Sequence, residues 1–200
     1  NICCDLNILQ SLQPVLRAGK WQVTVALRDG HHIVGIWPGL KDRIAGVAID
    51  VGSTTMSAHL CDMVTGEVLA STGAMNPQIR FGEDLMSRVS YGIMNPGGDR
   101  EMTAAVIEGL QGLIMGAAEN AGLTPEDVLE IVLVGNPVMH HLALGIDPVE
   151  LGQAPFALAT SQALNLAASD LDLSALHPHA RTYLLPCIAG HVGADAAAVA

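Results

Sequence analysis

The run AGVAIDVGSTTMSAHLCD, residues 45 to 62, limits the fold more than any other stretch of the chain. Apolar residues lead into Asp50, a turn follows over Val51, Gly52, Ser53, Thr54 and Thr55, and the chain leaves in alternation. That is the period-two pattern of two strands joined by a tight hairpin. A further turn at Thr65-Gly66 and the run EVLAS, residues 67 to 71, predict a third strand and hence an antiparallel meander. A carboxylate at the end of a buried strand is not there for packing, because an unpaired buried charge is strongly disfavoured. It needs a cation or hydrogen-bond donors. Gly52 permits a positive φ that lets the amides of Ser53, Thr54 and Thr55 share one concavity, and their hydroxyls add donors for phosphate oxygens. Asp50 then holds Mg²⁺ through water or orients an attacking water. On the residues alone an ordinary hairpin, with Asp50 accepting turn amides, remains the plain alternative.

The flanking patterns give the rest of the organisation. Residues 5 to 19 read as a helix, WQVTVAL and HHIVGIW as a hairpin about Arg28-Asp29-Gly30, and residues 38 to 43 as a boundary. After the meander, Leu85 and Val89 mark a short helix behind Gly82-Glu83-Asp84. Asp99 is expected to cap a longer one carrying Met102, Val106, Leu110, Leu113, Ile114 and Ala117, closed by Gly122. Thr124-Pro125 offers a cap before the buried strand LEIVLVG, and Asn136-Pro137 starts another helix. Residues 157 to 180 carry no clear pattern; TYLLPCIAG reads as a strand and GADAAAVA as the start of a helix. With half its residues hydrophobic, only 14% charged and 21 glycines, the chain suits close helix-on-sheet packing in an α/β fold.

Charge and motif content exclude several functions. Nine basic residues against twenty acidic ones give a net charge of -11 without a basic cluster, so neither nucleic acid nor an anionic membrane is an expected partner. The longest apolar tract, 104 to 118, is broken by Glu108, Gly109 and Gln111, and no signal pattern opens the chain, so a cytoplasmic location is expected. Cys3, Cys4, Cys61 and Cys187 lack metal, cluster or redox-pair spacing and read mostly as buried reduced thiols. The methionines 56, 75, 86, 94, 102, 115 and 139 read as core packing. No Walker A or GxGxxG sequence occurs. Asp84 and Arg88, four apart, read as a helix-surface pair. Gly135 and Asn136 end a central strand, where open α/β sheets place ligands. Gly190, Gly193 and Asp195 open the last helix, where the residues by themselves read as a structural cap.

DVGSTT on the first hairpin of a meander resembles the first phosphate loop of the acetate kinase, sugar kinase, Hsp70 and actin superfamily. Taken with NPQIRFGEDLMSRVSYG (76 to 92), VLVGNPVMHHLALGIDP (132 to 148), LGQAPF (151 to 156) and LPCIAGHVGAD (185 to 195), it is similar to the ATPase domain of the reductive activators of corrinoid proteins. The resemblance implies a ribonuclease H-like first lobe of an actin-like ATPase over residues 44 to 200, with the second lobe missing. Residues 1 to 43 would be the C-terminal part of a small α+β middle or linker domain. It implies ATP and Mg²⁺ as cofactors, with Asp50 as catalytic and metal-holding residue and Asp50, Gly52, Ser53, Thr54, Thr55, Gly135 and Asn136 around the nucleotide. A [2Fe-2S] cluster belongs to the full-length protein, not to this chain, which is expected to be a piece of a longer one. The implied function is the ATP-dependent return of Co(II) corrinoid proteins of methyltransferase systems to Co(I), with a corrinoid protein and a low-potential electron donor as partners; a homodimer is compatible with it. It also extends Asp84 and Arg88 to a cleft or dimer role. The alternatives are a small-molecule kinase of the same superfamily and a non-catalytic actin-like interaction module. Four positions depart from the expected pattern: Ser53 for Thr, Pro137 and Val138 for two Thr, and Glu83 for a small residue.

Overall fold

Two sheets form, one in each of the units Asn1–Ile44 and Ala45–Ala200. The computed structural model describes residues 1–199. In the first unit β1 (Cys3–Cys4), α1 (Leu6–Ala18), β2 (Val23–Arg28) and β3 (His32–Pro38) give a sheet of order β1-β3-β2. Asp29 (φ 52°) and Gly30 (φ 70°) both take positive φ, as a hairpin turn matched to strand twist requires. Lys20 and Trp21 also take positive φ, so the chain turns out of α1 and β2 begins two residues later than the WQVTVAL pattern suggests.

The second unit holds β4 (Ala45–Val51), β5 (Thr55–Asp62), β6 (Val68–Met75), α2 (Leu85–Met94), α3 (Gly98–Asn120), β7 (Val128–Gly135), α4 (Pro137–Ala143), β8 (Leu164–Ala167), β9 (Arg181–Leu184) and α5 (Ala194–Ala197). The sheet order is β6-β5-β4-β7-β9-β8. The meander β4-β5-β6 is antiparallel, β7 runs parallel to β4, β9 parallel to β7, and β8 antiparallel to β9. The architecture is mixed α/β.

Alternation sorts β4 between two environments. Val47, Ile49 and Val51 are buried with Met56, Ala58, Leu60, Ile131 and Leu133, and α3 adds Met102, Val106, Leu110 and Ile114 to the same core. Each large side chain in it contributes about 1.5–3 kcal/mol of burial, so Leu110→Ala would cost about 2–5 kcal/mol. Ala48 and Asp50 fall on the other face, away from this core, Ala48 open to solvent and Asp50 partly desolvated. Because Val51 pairs with Met56 in β5 and with Gly135 in β7, the turn after β4 and the end of β7 lie at one edge of the sheet.

Several expectations change. Asp99 does not cap α3: the N-cap is Gly97 in the left-handed region, and Asp99 lies in the first turn, where its charge suits the helix N-terminus. Met56, Met102 and Met139 are buried, but Met75 (70% exposed), Met86, Met94 (72%) and Met115 face outward. All four cysteines are free thiols and only Cys187 is buried. The ladder of TYLLPCIAG stops at Leu184, and the stretch 157 to 180 supplies the edge strand β8. Ala200, the end of the expected last helix, lies outside the described residues.

Candidate functional site

The turn between β4 and β5 is held by its carbonyls. Asn76 Nδ2 donates to Gly52 O at 2.8 Å, Asn76 N donates to Thr54 O at 2.8 Å, and between them Arg88 Nη2 donates to Ser53 O. These peptide units are trans, and a trans unit points its N–H opposite to its C=O. The amides of Ser53, Thr54 and Thr55 are therefore directed away from Asn76 and Arg88. Successive amides turned to one side make a concavity for an anion. Thr54 and Thr55 are exposed beside it and Ser53 is half-buried.

Gly52 serves this turn differently from the sequence expectation. Its φ is not positive; instead, a Cβ at this position would stand 2.4 Å from Thr55 O, so close approach of backbone to backbone is what requires glycine.

The groups beneath the turn form one buried network. Asn76 Oδ1 accepts from Gln78 N at 2.9 Å, and Gln78 Nε2 donates to Met102 O of α3 at 2.8 Å. Arg88, fully buried on α2, also donates through Nε to Gly82 O at 3.0 Å and through Nη1 to Gln78 Oε1 at 3.3 Å and Met139 Sδ of α4 at 3.1 Å. Arg88 is thus not a surface partner of Asp84. Asp84 is exposed and caps α2, its Oδ1 accepting from Ser87 N at 2.7 Å. The i, i+4 spacing concealed this, because Ser53 lies 35 residues away in sequence. The signal available was the NPQ tripeptide, whose Asn76 holds the same turn and whose Gln78 bonds to both Asn76 and Arg88 beneath it.

Asp50 pairs across the sheet with Ser57 and Val134. Partial burial, and then the charge of Asp195, raise its pKa above the usual aspartate value. Asp195 lies in the first turn of α5, whose entry depends on Gly193: a Cβ there would stand 2.5 Å from Asn136 Cα and 2.5 Å from Gly135 O. Gly135, Asn136, Gly193, Asp195 and Asp50 therefore gather at one edge of the sheet. Gly190 lies outside this group and packs on Phe156, whose O would be 2.2 Å from a Cβ. Asn136 Oδ1 caps α4 by accepting from Met139 N at 3.0 Å, and Pro137 has no N–H to offer a phosphate.

Two carboxylates acting on one another favour a cation between them, and oxygen ligands suit Mg²⁺. Among the described residues no group of three His, Cys, Asp or Glu is placed to hold a metal. An ion at Asp50 and Asp195 would keep most of its shell for water and phosphate, the habit of Mg²⁺. The same residues do not fit an iron–sulfur cluster, which needs converging thiolates.

Comparison with known proteins decides the family. The RACo linker region matches residues 1–43 and the RACo middle region matches residues 45–200. The chain belongs to the RACo family. This RACo chain is 29% identical over 197 residues to a protein of Eubacterium limosum named corrinoid activation enzyme RamQ, covering 98% of the chain and 33% of that protein. A solved structure of a reductive activator for corrinoid, iron-sulfur protein superposes with a TM-score of 0.85 at 31% identity, over 98% of the RACo chain and 32% of the other. The RACo chain thus spans about a third of the length of the relatives it matches. The matched regions carry the descriptions linker and middle. No helix among the described residues is long and apolar enough to cross a membrane.

Proposed function

We propose that the chain is part of an ATP-dependent reductive activator, in which residues 44–200 are the ribonuclease H-like first lobe of an actin-like ATPase and 1–43 belong to the linker. The observation that carries the reading is the turn after β4: three carbonyls drawn inward by Asn76 and Arg88 leave three amides for an anion, at the same edge of the sheet as Asp50 and Asp195. The sheet order, a meander followed by two parallel strands, supports the lobe assignment.

The residues divide the work as follows. The amides of Ser53, Thr54 and Thr55 bind and orient phosphate oxygens. Asp50 and Asp195 hold a Mg²⁺, through water in the case of Asp50, and fix the direction from which a water reaches the terminal phosphate. When bound, Mg²⁺ supplies charge neutralisation on the phosphate oxygens. Gly193 lets α5 approach β7 closely enough for Asp195 to act, and Gly135 and Asn136 line the same edge.

The partner in this reading is a corrinoid protein, returned from Co(II) to Co(I) with an electron from a low-potential donor; the activator acts in the cytoplasm, and its [2Fe-2S] cluster lies outside these residues. A preference of about 10⁴ between two conformations shifts a one-electron couple by about 240 mV. A nucleotide-driven closure with that preference would be large enough to assist an uphill reduction. The test is corrinoid reduction by the full-length protein with and without MgATP and a chemical reductant. Faster reduction with nucleotide is expected; equal rates would sink the proposal.

A further inference from the structure

The phosphate-loop reading, on which this inference rests, leaves the charge of Arg88 without a counterpart. Arg88 is fully buried, yet its acceptors are all neutral: Ser53 O, Gly82 O, Gln78 Oε1 and Met139 Sδ. Asp84 acts on it only through space, from an exposed position where its own oxygen is taken by the Ser87 amide. A buried guanidinium stays charged and is strongly unfavourable unless something balances it. As core filling alone, a methionine would do as well or better.

We propose that Arg88 is a positioning residue for phosphate: it draws the Ser53 carbonyl inward, and the polyphosphate on the far side of that peptide supplies the missing negative charge. The Ser53–Thr54 peptide unit lies between the two. Its oxygen faces the guanidinium and its N–H, on Thr54, faces the anion, so the cation polarises the unit in the sense that strengthens the outward donor. Asn76 fixes the neighbouring carbonyls without charge, which leaves Arg88 as the electrostatic member of the set.

Two measurements on Arg88→Met and Arg88→Lys test this. The first uses the 200-residue chain without nucleotide: order parameters of the Ser53, Thr54 and Thr55 amides should fall from about 0.85 to below about 0.6 in Arg88→Met. The second uses the full-length protein and compares MgATP with adenosine by calorimetry. Loss of the charge should weaken MgATP at least about tenfold and leave adenosine unchanged within about twofold, because only the former meets the turn. Arg88→Lys keeps the charge but not the forked donors, and should fall between wild type and Arg88→Met in both. It also decides the matter should the methionine variant fail to fold. Unaltered order parameters, or equal losses for MgATP and adenosine, would overturn the proposal. Failure of the wild-type full-length protein to bind MgATP would instead overturn the nucleotide reading and the electrostatic half of this one. The order parameters would still decide the positioning half.

Discussion

The carboxyl of Asp50 is held above the ordinary aspartate pKa first by partial burial and then by the charge of Asp195. Because the native value lies above the unfolded value of 3.8, folding carries an ionisation penalty at neutral pH that is relieved as pH falls, and none below 3.8. Asp50→Asn removes the penalty. The variant chain should melt slightly higher than wild type at pH 7 and level with it at pH 3, whereas ATP-dependent corrinoid reduction by the full-length variant should fall about 10²-fold or more. Activity near wild type would remove Asp50 from the mechanism.

Mg²⁺ should reverse the same penalty. At free Mg²⁺ equal to its dissociation constant the chain gains about 0.4 kcal/mol. A concentration-dependent rise in melting temperature is expected for wild type and not for Asp50→Asn or Asp195→Asn. An equal rise in all three would place the ion elsewhere.

His140 is buried on α4 with neither ring nitrogen hydrogen-bonded, and burial, followed by the neighbouring His141, lowers its pKa to about 4. Its folded value lies below the unfolded 6.5, so the stability of the neutral ring is complete above pH 6.5 and lost as pH falls toward 4. The drop amounts to about 3 kcal/mol. His140→Leu should lose less stability than wild type between pH 7 and pH 4.5 in urea denaturation; identical losses would exclude His140 as the acid-sensitive group.

Two glycines should respond differently to alanine. At Gly193 the new methyl meets backbone, Asn136 Cα and Gly135 O at 2.5 Å, which cannot yield without moving α5. At Gly46 the contact at 2.5 Å is Met63 Sδ, the mobile end of an exposed side chain. Gly193→Ala should cost about 1–3 kcal/mol and Gly46→Ala less than about 1 kcal/mol. Calorimetric melting of the two variants checks this, and a reversed order would be inconsistent with the placement of α5.

The isolated chain should bind ATP weakly, at about millimolar affinity or not at all, since one lobe offers amides for phosphate while its net charge of -11 opposes a polyphosphate. Submicromolar binding by calorimetry would show that a second lobe is not needed.

The meander was legible because β4 and β5 alternate and each turn carries Gly, so local period and turn chemistry agree. β7 was legible as an apolar run between a capping Thr124 and Asn136. Arg88 was not, since its spacing to Asp84 satisfies a local rule and the deciding partner, Ser53, is distant in sequence. β8 was hidden for another reason: its four residues, Leu164 to Ala167, pair only along one side with β9 and need no distinctive apolar pattern. The start of α3 was misread because Gly97 turns the chain by backbone conformation, which leaves no capping side chain to notice.

The inward carbonyls of residues 52 to 54 also bear on how this site can be gained or lost in evolution. A receptor made of main-chain groups is specified by residues that never touch its ligand. Ser53 in place of threonine leaves these main-chain groups in place, while a single side-chain exchange at Asn76, 24 residues from Gly52, would release the Gly52 carbonyl with every letter of DVGSTT intact. Function in such a loop cannot be read from the loop's own spelling.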